Sequence, residues 1–154
     1  NIGCVRLTER HMASAPATSD QIQRVEADTD AAIDTVLQSV PLEKATRAVA
    51  VAGTATTIAA AALGLKTYDS EAINGSSISV DTVQKTAEML RSMTREERAA
   101  LGYMHPGRVD VIGAGATIYA RIMTRLREIT EGNIDSVTVS EHDILDGIAL
   151  SQVR

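Results

Sequence analysis

At 154 residues the chain is long enough for one ordinary domain with its own core, and a composition 44% apolar and 23% charged excludes an intrinsically disordered segment. The formal net charge of −5 argues against a nucleic-acid polymer as partner, because such binders carry a basic face. A lone cysteine excludes an internal disulfide framework and suits a reducing cytoplasm, and no apolar run reaches the ~20 residues that a membrane span requires.

With no Phe or Trp and only three Tyr, the core has to be aliphatic. Ile2 to Thr8 alternates, is rich in β-branched residues, and reads as a strand, with Cys4 an inert thiol inside it. The chain opens on this strand without a methionine or a leader, so the expectation is a piece of a longer polypeptide. After a polar loop at Pro16, Thr18 and Gln21 have capping-box spacing, and Ile22, Val25, Ile33, Val36, Leu37 and Val40 share one helical face as far as Pro41. "RAVAVAG" (47–53) is a short buried strand. It passes at Gly53 into a helix over Thr54 to Leu63, for which Gly64 is the terminator.

"TYDSEAINGSS" reads as loop, broken at Asn74-Gly75. Ser79 caps a helix with Val80, Val83, Ala87 and Leu90 inward, and Thr94 with Glu97 opens a short one reaching Leu101. Val109, Ile112, Ala116, Tyr119, Met123 and Leu126 then mark a long amphipathic helix ending near Gly132. "SVTV" is a strand, and Ser140 with Asp143 caps a final helix with Ile144, Leu145, Ile148 and Ala149 inward. Strands alternating with helices predict an α/β fold with βαβ crossovers and a largely parallel sheet.

Four stretches could carry chemistry. A strand that turns at Gly53 directly into a helix presents free N–H groups and the positive end of the helix dipole to an anion, with the Thr54, Thr56 and Thr57 hydroxyls as further donors. Alternatively, Gly-Thr is plain strand-to-helix punctuation and Thr54 only caps. "MHPGRVD" gathers His105, Arg108 and Asp110; Arg108 suits a bidentate phosphate contact, or else pairs with Asp110. "GAGATI" lacks the third glycine of a dinucleotide fingerprint and lies in a helical pattern, so Gly113, Ala114, Gly115 and Ala116 are read as close-packing residues. "VSEHD" places Ser140, Glu141, His142 and Asp143 at a strand-to-helix turn. Successive residues of a helix do not converge on one point, so capping is preferred there to a metal site.

Together "NIGCVRLTERH", "VAVAGTATTIAAAALGL", "YDSEAINGSSIS", "MHPGRVDVIGAGATI" and "VSEHDILDGIAL" resemble the exopolyphosphatase/guanosine pentaphosphate phosphatase family, most closely its actinobacterial members. The resemblance spans nearly the whole chain. It implies a ribonuclease H-like fold of the actin-like ATPase superfold, with residues 1–154 forming the later part of the second subdomain and a mixed or parallel sheet flanked by helices. Members hydrolyse the terminal phosphate of inorganic polyphosphate, or the 5′-γ-phosphate of guanosine pentaphosphate, usually with Mg²⁺. Substrate is implied in a cleft between two subdomains, against glycine-rich phosphate loops. Gly53, Thr54, Ala55 and Thr56 match one such loop, and Arg108 matches an arginine facing the anionic substrate. His105, Asp110, Ser140 and Glu141 are weaker candidates.

The family's first phosphate loop, its general-base glutamate and its second acidic loop lie upstream, so no catalytic residue and no Mg²⁺ ligand is expected in these residues. The remaining half of the cleft is then expected from a preceding segment, a separate chain or a swapped copy in a homodimer. A relative that binds polyphosphate or an alarmone without hydrolysing it is the other reading.

Overall fold

Local capping chemistry decides most of the helix starts. In the computed structural model, which describes residues 2–152, helices α1 (Cys4–His11) and α2 (Ser19–Leu37) precede strand β1 (Val49–Ala50) and helix α3 (Ala52–Ala62). Helix α4 (Ser70–Ile73), strand β2 (Ser77–Ser79), helices α5 (Val80–Ser92), α6 (Arg95–Ala99) and α7 (Ile112–Ile129), strand β3 (Ser136–Val139) and helix α8 (Ile144–Ser151) follow. Thr18 with Gln21 and Thr94 with Glu97 both form complete capping boxes, and Ser79 accepts from the Thr82 amide, as their spacing predicts. Gly64, just beyond α3, takes φ +68°, the left-handed value of a helix terminator.

The sheet has the order β1-β3-β2. β1 runs parallel to β3, with Val49 opposite Thr138, and β2 runs antiparallel to it, with Ile78 opposite Val137. The sheet is therefore mixed, not largely parallel. β2 overlaps the expected loop only at Ser77, and Ser79 is read as a helix cap; Ser-Ile-Ser is too short and polar to stand out as a strand, and only Ile78 is buried, entering the core opposite Val137.

Helix α7 organises the packing. Every residue from Ile112 to Ile118 is buried, because the helix is covered on opposite sides. On one side Ala116, Ala120 and Met123 join Ile58 of α3, Val83 and Leu90 of α5, and Val137 and Val139 of β3 in an aliphatic core. On another, Ala114 and Ile118 meet Leu7, Met12 and Val25. Small residues at positions 113–116 let the neighbouring helices approach the backbone. A Cβ on Gly115 would lie 2.9 Å from Thr54 Oγ1 and 3.2 Å from Cys4 Cβ. The close-packing account of "GAGATI" therefore describes its environment, and no dinucleotide loop forms there.

Three elements depart from the sequence reading. Ile2 to Thr8 is not a strand: α1 occupies Cys4–His11, placing Cys4 against Gly115 and burying Leu7 fully. A run this short satisfies a period of two and a period of 3.6 equally, and the burial of Leu7 against α2 and α7 selects the helix. The final helix starts from Asp143, which caps with Asp146, while Ser140 spends its hydroxyl on His142. The apolar face expected inward on α8 is exposed instead, Ile144 at 76% and Leu145 at 70%, because α8 has no core residue facing it among those described.

An ion-pair cluster ties α2 to α7. Asp30 accepts from Arg121 Nε and Nη2 at 2.7 Å each and from Arg125 Nη1 at 3.0 Å, while Arg125 Nη2 reaches Asp34 at 2.8 Å. The bonds from Arg121, then those from Arg125, hold the Asp30 carboxyl below its ordinary 3.8 despite partial burial. A depressed carboxylate stabilises the fold above its unfolded value and loses that contribution as pH falls through the folded one. The stability gap between the wild type and Asp30→Asn should therefore be full at pH 7 and close below about pH 4, as urea melts across that range would show.

Candidate functional site

The corner between β1 and α3 is tighter than its sequence suggests. Val51 is extended and caps α3 without any side-chain hydrogen bond, so the first-turn N–H groups receive no acceptor from it. The helix begins at Ala52, two residues before the expected Thr54, and Gly53 lies inside its first turn. The left-handed residue that makes the turn is Ala52, at φ +69°. For a residue with a Cβ this costs about 1–3 kcal/mol, which the surrounding structure has to hold in place.

Gly53 serves a different purpose. A Cβ there would lie 1.5 Å from Arg108 Nη2 and 1.6 Å from its Cζ. The guanidinium thus rests directly on the Gly53 backbone at the positive end of α3. Arg108 ends a 3₁₀ turn, Pro106–Arg108, that is fixed from its own start: the Gly107 N–H donates to His105 Nδ1 at 3.1 Å and the Arg108 N–H to the His105 carbonyl at 2.8 Å. Two positive features, a helix N-terminus and a guanidinium, are brought together, and among the described residues no carboxylate lies within ion-pair distance of Arg108. Like-signed partial charges held in contact favour an anion between or beside them.

The corner borders a cavity of about 370 Å³ lined by Thr56, Thr57, Tyr68, Tyr103, His105 and Arg108, among others. Thr57 Oγ1 donates to the Gly53 carbonyl at 2.7 Å and Thr56 Oγ1 to the same oxygen at 3.4 Å. Thr54 is turned towards α7, against Gly115, and Ala55 is buried in the core. Of the three hydroxyls expected to serve an anion, Thr57 is committed to its own helix and Thr54 to packing. Thr56 adjoins the Tyr68 phenol.

Tyr68 is the residue that the sequence reading lacks. Its hydroxyl donates to Glu141 Oε1 at 2.6 Å, and the Glu141 N–H donates to Asn74 Oδ1 at 3.1 Å. Burial first, and then the bond to Glu141, raise the Tyr68 phenol above its ordinary value, so it stays a donor. The chain's scarcity of aromatics is the one sequence signal that could single it out. Asp110 does not pair with Arg108: it accepts from Arg95 Nε at 2.7 Å, away from this cavity. Ser140 closes a local turn, its N–H donating to the Ala50 carbonyl and its hydroxyl to the His142 carbonyl. Gly53, Thr56, His105 and Arg108 are thus brought together, Glu141 reaches them through Tyr68, and Asp110 and Ser140 stand apart.

The corner offers N–H donors and a guanidinium, a set that does not fit a magnesium ion, and no cluster of three or more His, Cys, Asp or Glu side chains suited to a metal occurs among the described residues. No helix among them is long and apolar enough to cross a membrane.

Comparison with known proteins sets these features in context. The sequence pattern of the Ppx/GppA phosphatase family matches residues 1–152. Exopolyphosphatase 2 of Mycobacterium tuberculosis is 46% identical over 151 residues, which cover 98% of this chain and 47% of that protein. The crystal structure of an exopolyphosphatase-like protein aligns with a TM-score of 0.94 at 41% identity, over 97% of this chain and 48% of the other. The Aquifex aeolicus PPX-GPPA enzyme aligns with a TM-score of 0.81 at 26% identity, over 98% of this chain and 47% of its own. The chain spans about half the length of the relatives it matches, and its fold is the actin-like ATPase type.

Proposed function

The chain belongs to the Ppx/GppA phosphatase family, and from that premise we propose that the β1–α3 corner and Arg108 form one wall of a site for a phosphate chain. The reaction is hydrolysis of a terminal phosphoanhydride, in inorganic polyphosphate or at the 5′-γ-phosphate of guanosine pentaphosphate. The observation that carries this reading is the Arg108 guanidinium seated on Gly53 at the uncapped start of α3. Phosphoryl transfer gains chiefly from positioning and from fixed charges that meet the phosphate oxygens. First-turn amides and a planar guanidinium supply both without reorganising. Residues 1–154 then act as the later part of a second actin-like subdomain. The general base and the opposite wall come from a preceding segment or a second chain. In support, the matched relatives are about twice as long as this chain.

The test joins residues 1–154 to the half that carries the base and measures phosphate release from polyphosphate and from guanosine pentaphosphate, alongside calorimetric binding of each. Release from either supports the enzyme reading, and binding without release supports an alarmone or polyphosphate sensor. The absence of both release and binding would overturn the site.

Tyr68 keeps the Glu141 carboxylate occupied. In Tyr68→Phe, Glu141 loses its 2.6 Å donor and its charge is left free beside the anion wall. The expected result is a rise in KM of roughly five-fold, equivalent to about 1 kcal/mol, with kcat little changed, as uniform weakening of substrate binding requires. Steady-state kinetics on polyphosphate would check it, and the Tyr68→Phe/Glu141→Gln pair should return KM towards the starting value.

A further inference from the structure

A second arginine lies on the other side of the 3₁₀ turn, and this one is buried with no counter-charge among the described residues. Arg98 of α6 is 3% exposed. Its Nε donates to the Leu90 carbonyl at 2.7 Å and its Nη2 to the Arg91 carbonyl at 3.4 Å, so part of the guanidinium closes the C-terminal turn of α5. Its flat face lies against Gly113 in the first turn of α7, where a Cβ would come within 3.0 Å of Nη2 and 3.2 Å of Nη1. Among the described residues Nη1 has no acceptor, and no carboxylate lies within ion-pair distance of the group. Burial lowers its pKa, and the charge of Asp110 opposes that shift from a distance.

Arg98 lines a cavity of about 380 Å³ between the α1–α2 connection, α6 and the start of α7. Two observations coincide there: a buried cation with an unused donor edge, and an 18-residue helix whose N-cap, Val111, makes no side-chain cap. Both favour an oxyanion. The rest of the lining defines which kind. Met12, Ala13, Ala15 and Val109 form an apolar wall, Thr8 and Ser14 add hydroxyls, and Glu96 and Asp110 on its border repel a multiply charged guest. Arg95 is already paired with Asp110. One free guanidinium edge, one apolar wall and acidic neighbours suit a single negative charge on a short hydrocarbon body.

We propose that this cavity binds a small organic monocarboxylate, its head on Arg98 Nη1 and its body against Met12 and Val109. The site is separate from the Gly53–Arg108 corner and does not depend on the reading of that corner. Sodium butyrate is the probe, added to the full chain against sodium chloride of equal ionic strength. At ten times its Kd it should raise the melting temperature by roughly 3–6 °C in a saturable manner. The Arg108→Ala protein should respond equally, which separates this site from the phosphate wall. Arg98→Met would also remove the closure of α5, so the decisive variant is Ala13→Glu. It tethers a carboxylate in the cavity from an exposed loop position and leaves every bond of Arg98 in place. Ala13→Glu should lose the response to butyrate. No butyrate-dependent shift in the wild type, an undiminished response in Ala13→Glu, or a response to inorganic phosphate in place of butyrate would each overturn the proposal.

Discussion

Once residues 1–154 are joined to the half that carries the base, replacing Arg108 with alanine should lower kcat/KM towards polyphosphate by roughly 10²–10³-fold, the usual cost of removing one preorganised donor from a developing oxyanion. The expectation rests on a contact, since the guanidinium occupies the space a Gly53 side chain would need. Arg108→Lys should recover little of the loss, because an ammonium is a point donor and cannot lie flat on the peptide. Gly53→Ala attacks the same contact from the other partner. Its methyl carbon would fall 1.5 Å from Nη2 in the present geometry, so the guanidinium has to leave. Both single changes therefore remove one arrangement, and the double variant should be scarcely worse than either alone. A strictly additive cycle, or an Arg108→Ala enzyme of unchanged activity, would show that the two residues are packed together without serving the reaction.

How far the sequence reveals this arrangement depends on how local each cause is. The capping boxes at Thr18 and Thr94 are legible because partner and cap sit within one turn, and β3 because four residues of "SVTV" lie between clear breakers. The small residues of "GAGATI" announce close packing, but not that α1 and α3 are the elements that approach. Where two local causes compete, the pattern misleads. Ser140 and Asp143 can both cap, and the bond from the Ser140 N–H to the Ala50 carbonyl draws Ser140 towards the sheet, leaving α8 to Asp143. α8 shows the limit of hydrophobicity as a guide: Ile144 and Leu145 are apolar and exposed. At the site, Gly53 and Arg108 each stand out alone, yet only the fold places one on the other. The same holds for Arg95 taking Asp110 from Arg108, and for Tyr68 reaching Glu141.

Gly115→Val should lower stability by about 1–3 kcal/mol, the ordinary cost of forcing volume into a packed core. The site is unforgiving because two elements meet there: Thr54 of α3 and Cys4 of α1 both approach the α7 backbone within 3.2 Å of where a Cβ would stand. Alanine is a milder test. Its helix preference over glycine, about 1 kcal/mol, offsets part of the crowding, and Thr54 Oγ1 is a rotatable atom that can yield. Valine adds two further carbons with one preferred rotamer in a helix, so α3 or α1 must move away from α7. If α3 moves, Thr54 takes with it the neighbouring Gly53 and the first-turn amides. Denaturant melts should then place Gly115→Ala near the wild type and Gly115→Val well below it. Phosphate release from the folded fraction of Gly115→Val should fall as well, although the residue touches no part of the cavity. A stable Gly115→Val protein with normal turnover would mean that α7 does not hold the corner in position.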